Sequence, residues 1–371
     1  MRVLITGADG FIGRNLRLRL TEAGYDDVQC VTRATSQDEL RSYLGEADFV
    51  FHLAGVNRPQ DPSEFMQGNA DLTQRICSAL ESAKRPATIV LASSMQATAD
   101  NAYGHSKRMA EQIVWSHGAK TGGRVHVFRL PNVFGKWARP NYNSVVATFC
   151  HNVARGLPVQ VHDGQAKLTL TYIDDVLDRF LALLHGADPA PDAHGCEVVT
   201  PQYSTTVAGL LSQIEAFRDA RDSLMMPPVG RGLVRALYST YVSYLPSDRF
   251  SYLLPCHEDA RGVFVEMLKT PDCGQFSYLT AHPGVTRGGH YHHSKTEKFL
   301  VIKGQARFRF RHMQTGQMHE LETRGEKPMV VETVPGWTHD ITNIGTDEMI
   351  VMLWANEVFD RDRPDTISCP V

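Results

Sequence analysis

Tyr103-Gly104-His105-Ser106-Lys107 sets a phenol four residues ahead of an ammonium. On a helix the two side chains share one face, one turn apart. A phenol titrates at about pH 10, and a cation beside it brings that value towards the working range of a proton donor. Met109, Ala110, Ile113 and Val114 continue at helical spacing, which predicts a helix through the pair. A second constellation lies far downstream. In His290-Tyr291-His292-His293 strand alternation turns His290 and His292 to one side and His293 to the other. Glu297 follows, and His339 recurs after Pro335-Gly336-Trp337-Thr338. Imidazoles with one carboxylate suit a divalent first-row ion such as zinc. Candidates for a base or acid near such a centre are Lys295, Tyr291, His282 and His312. Lys295 ranks first, because a buried lysine changes protonation readily.

The elements that must position these groups fall into two parts. A chain of 371 residues exceeds what one hydrophobic core usually organises, so two domains are expected. The net charge of −3 with no basic block argues against a nucleic-acid partner. The 7 cysteines are scattered without a Cys-x-x-Cys, which fits reduced thiols in a cytoplasmic protein. The N-terminus enters a strand-like run at once, leaving no room for a signal peptide. No apolar segment approaches bilayer-spanning length, so no membrane insertion is expected.

Arg2 to Thr6 reads as a strand and Leu16 to Leu20 as helix, with Gly7-Ala8-Asp9-Gly10-Phe11-Ile12-Gly13 between them. Glycines there let the backbone approach a pyrophosphate, and the helix N-terminus supplies donors. Gly7, Gly10, Phe11, Ile12 and Gly13 are therefore assigned to a dinucleotide. The next strand, from Val28, ends at Arg33 with no acidic residue, which favours the 2′-phosphate of NADPH over NADH; Arg14 is a second candidate cation. The run Asp48 to Gly55 is read as a buried strand beside the cofactor, with Asp48, Leu53, Ala54 and Gly55 on the cofactor list. A strand from Thr88 to Leu91 leads into Ala92-Ser93-Ser94. Ser94 to hold a carbonyl oxygen, Tyr103 to protonate it and Lys107 to tune the phenol suit hydride transfer to a ketone.

Together with Arg129-Leu130-Pro131-Asn132-Val133-Phe134-Gly135 and Tyr172-Ile173-Asp174-Asp175-Val176, these motifs resemble the extended short-chain dehydrogenase/reductases that act on nucleotide sugars. The resemblance covers residues 1 to about 245, with every motif in order. It implies that Ser94 and Tyr103 contact the sugar carbonyl and that Lys107 also holds the nicotinamide ribose. It implies that Pro131 to Val133 border the nicotinamide. Lys136 to Asn143 would grip the nucleotide diphosphate, with Arg139 as its ligand. Gln96, Asn132 and Asn141 join the substrate residues. Asp174 and Asp175 are expected to cap a helix from Val176 to Leu184.

Residues 205 to 245 read as helices, with Val207, Leu210, Leu211, Ile214 and Phe217 at helical spacing. Beyond Pro246 the cadence becomes short strands: 264–268, 276–279, 299–302, 307–310 and 349–354. The boundary is placed at 246–252, giving a reductase domain over 1–246 and a barrel over 247–371. Gly284, His290, His292, Glu297 and Gly304 resemble the first motif of the cupin family residue by residue. Pro335, His339 and Asn343 match the second, whose leading glycine is displaced to Gly325. The fold class is thus α/β, a Rossmann-type doubly wound parallel sheet followed by an all-β cupin barrel.

The order reductase-then-cupin resembles a family of bifunctional capsular polysaccharide synthesis enzymes over essentially the whole chain. That resemblance implies a UDP-linked 4-keto sugar substrate, epimerisation at C3 in the cupin and NADPH reduction at C4. The product implied is UDP-2-acetamido-2,6-dideoxy-L-talose. Zinc and a homodimer are implied as well. Two rivals remain: a reductase whose cupin only braces a dimer or senses sugar, and a 4-epimerase or dehydratase that recycles its cofactor. A dehydratase normally places an acid near the catalytic serine, whereas Met95 and Gln96 follow Ser94.

Overall fold

The computed structural model describes the whole chain except residues 85, 188–189, 255–256, 260–261, 265–266, 269, 271–273 and 358–361. Two compact units emerge: Met1–Ser144 with Leu168–Ser204, and Val145–Lys167 with Thr205–Val371.

In the first unit, β1 (Val3–Thr6), β2 (Val28–Val31), β3 (Phe49–His52), β4 (Thr88–Ser94) and β5 (Val125–Leu130) form one parallel sheet in the order β2-β1-β3-β4-β5. Every residue of β1 and β3 is buried, as expected for strands covered on both faces. The intervening helices are α1 (Phe11–Glu22), α2 (Gln37–Glu46), α3 (Ser63–Phe65), α4 (Leu72–Ala83) and α5 (Ala102–Thr121). A π-helical turn, Met66–Asp71, joins α3 to α4. Because the strands are parallel, all their carboxyl ends meet at one edge, with the sequence order switching at β1. The glycine turn, Arg33, Leu53 to Gly55 and Pro131 follow strand ends at that edge, and Ser94 is the last residue of β4. Strand β6 (Asn132–Phe134) then pairs with β7 (Lys167–Tyr172), and β8 (Tyr203–Thr206) completes a smaller sheet.

In the second unit, α6 (Val145–Ala154), α8 (Val207–Ser223) and α9 (Gly232–Ser243) pack on one another, while α7 (Ile173–Leu184) belongs to the first. The strands after Pro246 are β9 (Ser251–Leu253), β10 (His257–Asp259), β11 (Gly262–Phe264), β12 (Gln275–Ala281), β13 (Thr286–Tyr291) and β14 (Glu297–Lys303). They continue with β15 (Gln305–His312), β16 (Met318–Arg324), β17 (Met329–Glu332), β18 (Trp337–Asn343), β19 (Met349–Ala355) and β20 (Ile367–Ser368). Two five-stranded antiparallel sheets result, β12-β19-β14-β17-β9 and β16-β15-β18-β13-β20, and β10 pairs with β11 apart from them. Expected strands from 276, 299, 307 and 349 are the centres of β12, β14, β15 and β19. Of the strand expected at 264–268, residues 265–266 lie outside the described residues.

Two expectations are corrected. Strand β4 runs on through Ser94, because Ala92 to Ser94 keep pairing with Phe128 to Leu130. Helix α7 starts at Ile173 with Tyr172 as N-cap and no side-chain cap bond, so Asp174 and Asp175 sit within its first turn. There they complement the helix dipole rather than cap it. The compact units are drawn along other lines than the expected domains, with residues 205–246 grouped with the barrel strands. Arg221 of α8 pairs with Glu332 of β17, and Ser239 of α9 donates to the His293 carbonyl, so these helices close over the barrel.

Candidate functional site

The glycine turn is held by contact. Gly7 has φ +69°, and a Cβ there would lie 2.8 Å from the Ala54 backbone. A Cβ on Gly13 would stand 2.3 Å from the Gly7 carbonyl oxygen. Turn and β3 loop are therefore pressed together beneath the N-terminus of α1, whose N-cap is Gly10. Arg33 is exposed two residues past β2. Arg14 donates to the Trp137 carbonyl. Asp48 stands at the other edge: it precedes β3, and its carboxylate accepts from the Arg2 backbone N–H at 2.8 Å. Its position in a polar–apolar run did not distinguish the two ends of the strand.

Ser94, Tyr103 and Lys107 come together. The Ser94 hydroxyl bonds the phenol, and burial pushes Tyr103 upwards, with Ser94 pulling the other way. The lowering of Tyr103 by Lys107 expected above is not found: burial and Ser94 are what act on the phenol. Lys107 Nζ instead donates to the Ala92 carbonyl at 2.8 Å, and burial lowers it to about 8 against the pull of Glu111. A phenol held in its protonated form is the state a general acid requires. Glu111, one further turn along α5, accepts from Arg129 Nε at 3.0 Å and Nη2 at 2.7 Å, and from the Ser93 hydroxyl. It was missed in the sequence, although the i, i+4, i+8 series Tyr103, Lys107, Glu111 was there to be read.

A hydrogen-bond chain behind the pair ties the cofactor loop to α5. The Ala54 N–H donates to Thr6 Oγ1, which lies 2.7 Å from His52 Nδ1; His52 Nε2 lies 2.9 Å from Thr73 Oγ1. Thr73 donates to the Asn69 carbonyl, so His52 must supply the proton on Nε2 and accept on Nδ1. Burial first, and Lys107 second, lower His52 to about 3, which keeps it neutral. Asn69 in the π-turn donates to Ser106 at 2.9 Å, and Ser106 to the Tyr103 carbonyl.

The expected substrate residues line exposed backbone. Gln96, Asn132, Arg139 and Asn141 are exposed, and Asn132 donates to the Thr169 carbonyl. The Arg139 guanidinium lies over Tyr142 at 5.2 Å. Trp137 at φ +70° and Asn141 at φ +54° hold left-handed conformations that cost energy without glycine, a strain found where a loop is shaped for a ligand. Lys136, buried beneath the loop, sits 3.4 Å from Asp174. Pro131 and Val133 follow β5, half-buried.

In the second unit His290, His292, Glu297 and His339 each offer one ligand atom, all within 4.8 Å of one another. A bulge between Gly288 and His290 re-aims the end of β13. His290 and His292 face together, ring centroids 5.0 Å apart, while His293 packs on Tyr291. Both ring nitrogens of buried His339 lack a hydrogen bond, and its Nε2 lies 3.6 Å from Glu297 Oε2. An orphaned imidazole aimed at a carboxylate and two histidines is a donor set that fits a divalent cation. Burial, then His339 and His292, lower His290 to about 4. Burial opposes ionisation of Glu297, yet His292, His339 and Lys295 hold it well below the usual range.

Lys295 Nζ lies 3.3 Å from Glu297 Oε1 and 3.0 Å from Thr366 Oγ1. His282 is exposed at a turn, and His312 Nδ1 accepts from the Gln314 and Thr315 N–H groups. Asn343 anchors another turn, donating to the Ala281 and Asp347 carbonyls. Among the described residues the cysteines are free, and no helix is long and apolar enough to cross a membrane.

Residues 3–194 match the NAD dependent epimerase/dehydratase family, and residues 257–367 match the polysaccharide biosynthesis C-terminal domain. The chain is 57% identical over 371 residues to a UDP-2-acetamido-2,6-beta-L-arabino-hexul-4-ose reductase of Pseudomonas aeruginosa, covering 100% of this chain and 99% of that one. Among solved structures, the capsular polysaccharide assembling protein CapF of Staphylococcus aureus is 41% identical, with a TM-score of 0.69 and 100% of both chains covered. CapF bound to the inhibitor 3-isopropenyl-tropolone aligns with a TM-score of 0.64 at 37% identity, again over 100% of both chains.

Proposed function

The chain belongs to the NAD dependent epimerase/dehydratase family, in its CapF-like form that joins a short-chain reductase to a cupin, and from that premise we propose a two-step nucleotide-sugar enzyme of capsule biosynthesis. Residues 247–371 epimerise C3 of a UDP-2-acetamido-2,6-dideoxy-4-keto-hexose, and residues 1–246 reduce C4. The product is UDP-2-acetamido-2,6-dideoxy-L-talose, on the route to UDP-N-acetyl-L-fucosamine. The observation that carries the reading is one chain holding both a Ser94–Tyr103–Lys107 arrangement and a buried His290–His292–Glu297–His339 cluster.

At the reductase site NADPH supplies the hydride. Ser94 orients the C4 carbonyl and Tyr103, protonated when substrate arrives, donates its proton to the developing alkoxide. Lys107 would hold the nicotinamide ribose, and Arg33 would meet the 2′-phosphate. Arg139, with Gln96, Asn132 and Asn141, holds the UDP moiety.

A ketone at C4 acidifies the C3–H bond, so epimerisation requires a base, charge stabilisation for the enolate and an acid on the opposite face. His290, His292, Glu297 and His339 would hold a divalent ion, zinc by donor type, whose charge would stabilise negative oxygen. Lys295, buried against Glu297, is assigned the proton transfer. The relative's tropolone inhibitor supports an accessible metal, since adjacent oxygens on one ring chelate divalent ions. We assign a cytoplasmic homodimer, which the sequence resemblance implies. Consumption of one equivalent of NADPH per keto sugar tests the reductase; turnover with catalytic NADPH alone would leave the redox-neutral rival.

A further inference from the structure

The metal cluster is gripped from outside by the C-terminal segment, and the grip centres on one carboxylate. Asp365 Oδ1 accepts from the His293 N–H at 2.8 Å. Its Oδ2 accepts from the Ser294 and Lys295 N–H groups, each at 2.7 Å, and from the Ser294 hydroxyl at 3.1 Å. Three consecutive backbone N–H groups thus converge on one anion, a nest that fixes the loop between ligands His292 and Glu297. The Asp365 carbonyl meanwhile accepts from His292 Nδ1.

A carbonyl can only accept, so Nδ1 of His292 is committed as a donor and Nε2 is the nitrogen turned to the cluster. It points at Glu297 Oε2, 3.0 Å away. One residue therefore sets both the path of the ligand loop and the tautomer of a ligand, as outer partners of metal-bound histidines do. Helix α9 holds the same loop: Ser239 donates to the His293 carbonyl, and Arg235 bonds the Ser294 hydroxyl and lies 3.0 Å from Glu357. Nothing in the motif spacing pointed to Asp365, which lies 73 residues beyond His292.

We propose that Asp365 is the positioning residue of the metal centre, pre-organising His292 and the 293–295 loop for a divalent cation. The proposal rests on the four-ligand reading above. The tail has a second anchor that does not involve Asp365, where Arg311 donates to the Pro370 carbonyl at 2.7 Å. That anchor provides a control, because loosening it frees the end of the tail without touching the nest.

The experiment loads full-length wild type, Asp365→Ala, Asp365→Asn and Arg311→Ala with Co²⁺, recording the visible ligand-field bands and metal loss to a competing chelator. NADPH binding and near-ultraviolet circular dichroism report folding of each variant. Asp365→Ala should weaken metal binding on the order of 10- to 100-fold and alter the cobalt bands. Asp365→Asn, which turns a donor towards the backbone N–H groups, should weaken it in the same direction while remaining folded. Arg311→Ala should leave affinity and spectrum as in wild type. Wild-type affinity and bands in folded Asp365→Asn would overturn the proposal, as would an equal loss in Arg311→Ala. Failure of wild type itself to take up cobalt would instead sink the four-ligand reading.

Discussion

His292 Nε2 faces Glu297 Oε2 at 3.0 Å while its other nitrogen is already committed as a donor. Two lone pairs at that distance need a cation between them, either a proton or a metal. Metal loading of stripped protein near neutral pH should therefore release protons, read in weakly buffered solution with an indicator dye. His339→Ala should abolish retention of metal through gel filtration. Full metal content in that variant would remove His339 from the ligand set.

Tyr103→Phe keeps the ring and its contact with Phe65, centroids 5.5 Å apart, but deletes the donor. Reduction should fall by roughly 10²- to 10⁴-fold with NADPH affinity unchanged. Deuterium exchange into the keto sugar should continue, because it does not need the phenol. Loss of exchange as well would mean that both steps share Tyr103.

Lys107 gives the reductase a pH dependence whose sign is fixed. Its ammonium, lowered to about 8 by burial, is charged below that pH and neutral above it. NADPH affinity should therefore be level below the inflection and weaken as pH rises through about 8. Glu111 raises Lys107, so Glu111→Gln should move the inflection to lower pH. The titratable neighbours are Glu111, Tyr103 one turn back along α5, and His52, the last kept neutral at about 3. An unmoved inflection would mean that a different group controls binding.

Arg221, Glu332 and Lys298 form a buried charge cluster beneath α8, with Tyr252 under both cations at 5.0 and 5.3 Å. Burial, then Arg221, lowers Lys298 well below its usual range. Glu332→Met should destabilise the protein by about 3–5 kcal/mol, because it leaves the two buried cations Arg221 and Lys298 uncompensated. A fragment of residues 247–371 loses both α8 and the α9 contact to the metal loop. It should show no cooperative thermal transition, whereas cooperative unfolding would make the barrel independent of these helices.

Chemistry-bearing residues with fixed local spacing were legible in the sequence. The glycine turn, Ser94, Tyr103 with Lys107, and the His290–His292–Glu297 frame each lie within one or two elements, where period and turn chemistry decide placement. Long-range partners were not legible. Asp365 meets His293 only because β20 pairs with β13, and Glu111 meets Arg129 only because α5 packs against the sheet. The compact units were also hidden. Helices α8 and α9 are continuous in sequence with the reductase, but the charges and hydroxyls they bury belong to barrel strands.

The most direct test of the account follows hydrogen at C3. The intact protein is incubated with a UDP-2-acetamido-2,6-dideoxy-4-keto-hexose in D₂O, first without and then with NADPH, and the product is resolved by NMR. Solvent deuterium should enter C3 without reductant, and NADPH should then trap an alcohol that carries the label at an inverted centre. A C4 alcohol formed with C3 unlabelled and uninverted would contradict the account and leave a reductase alone.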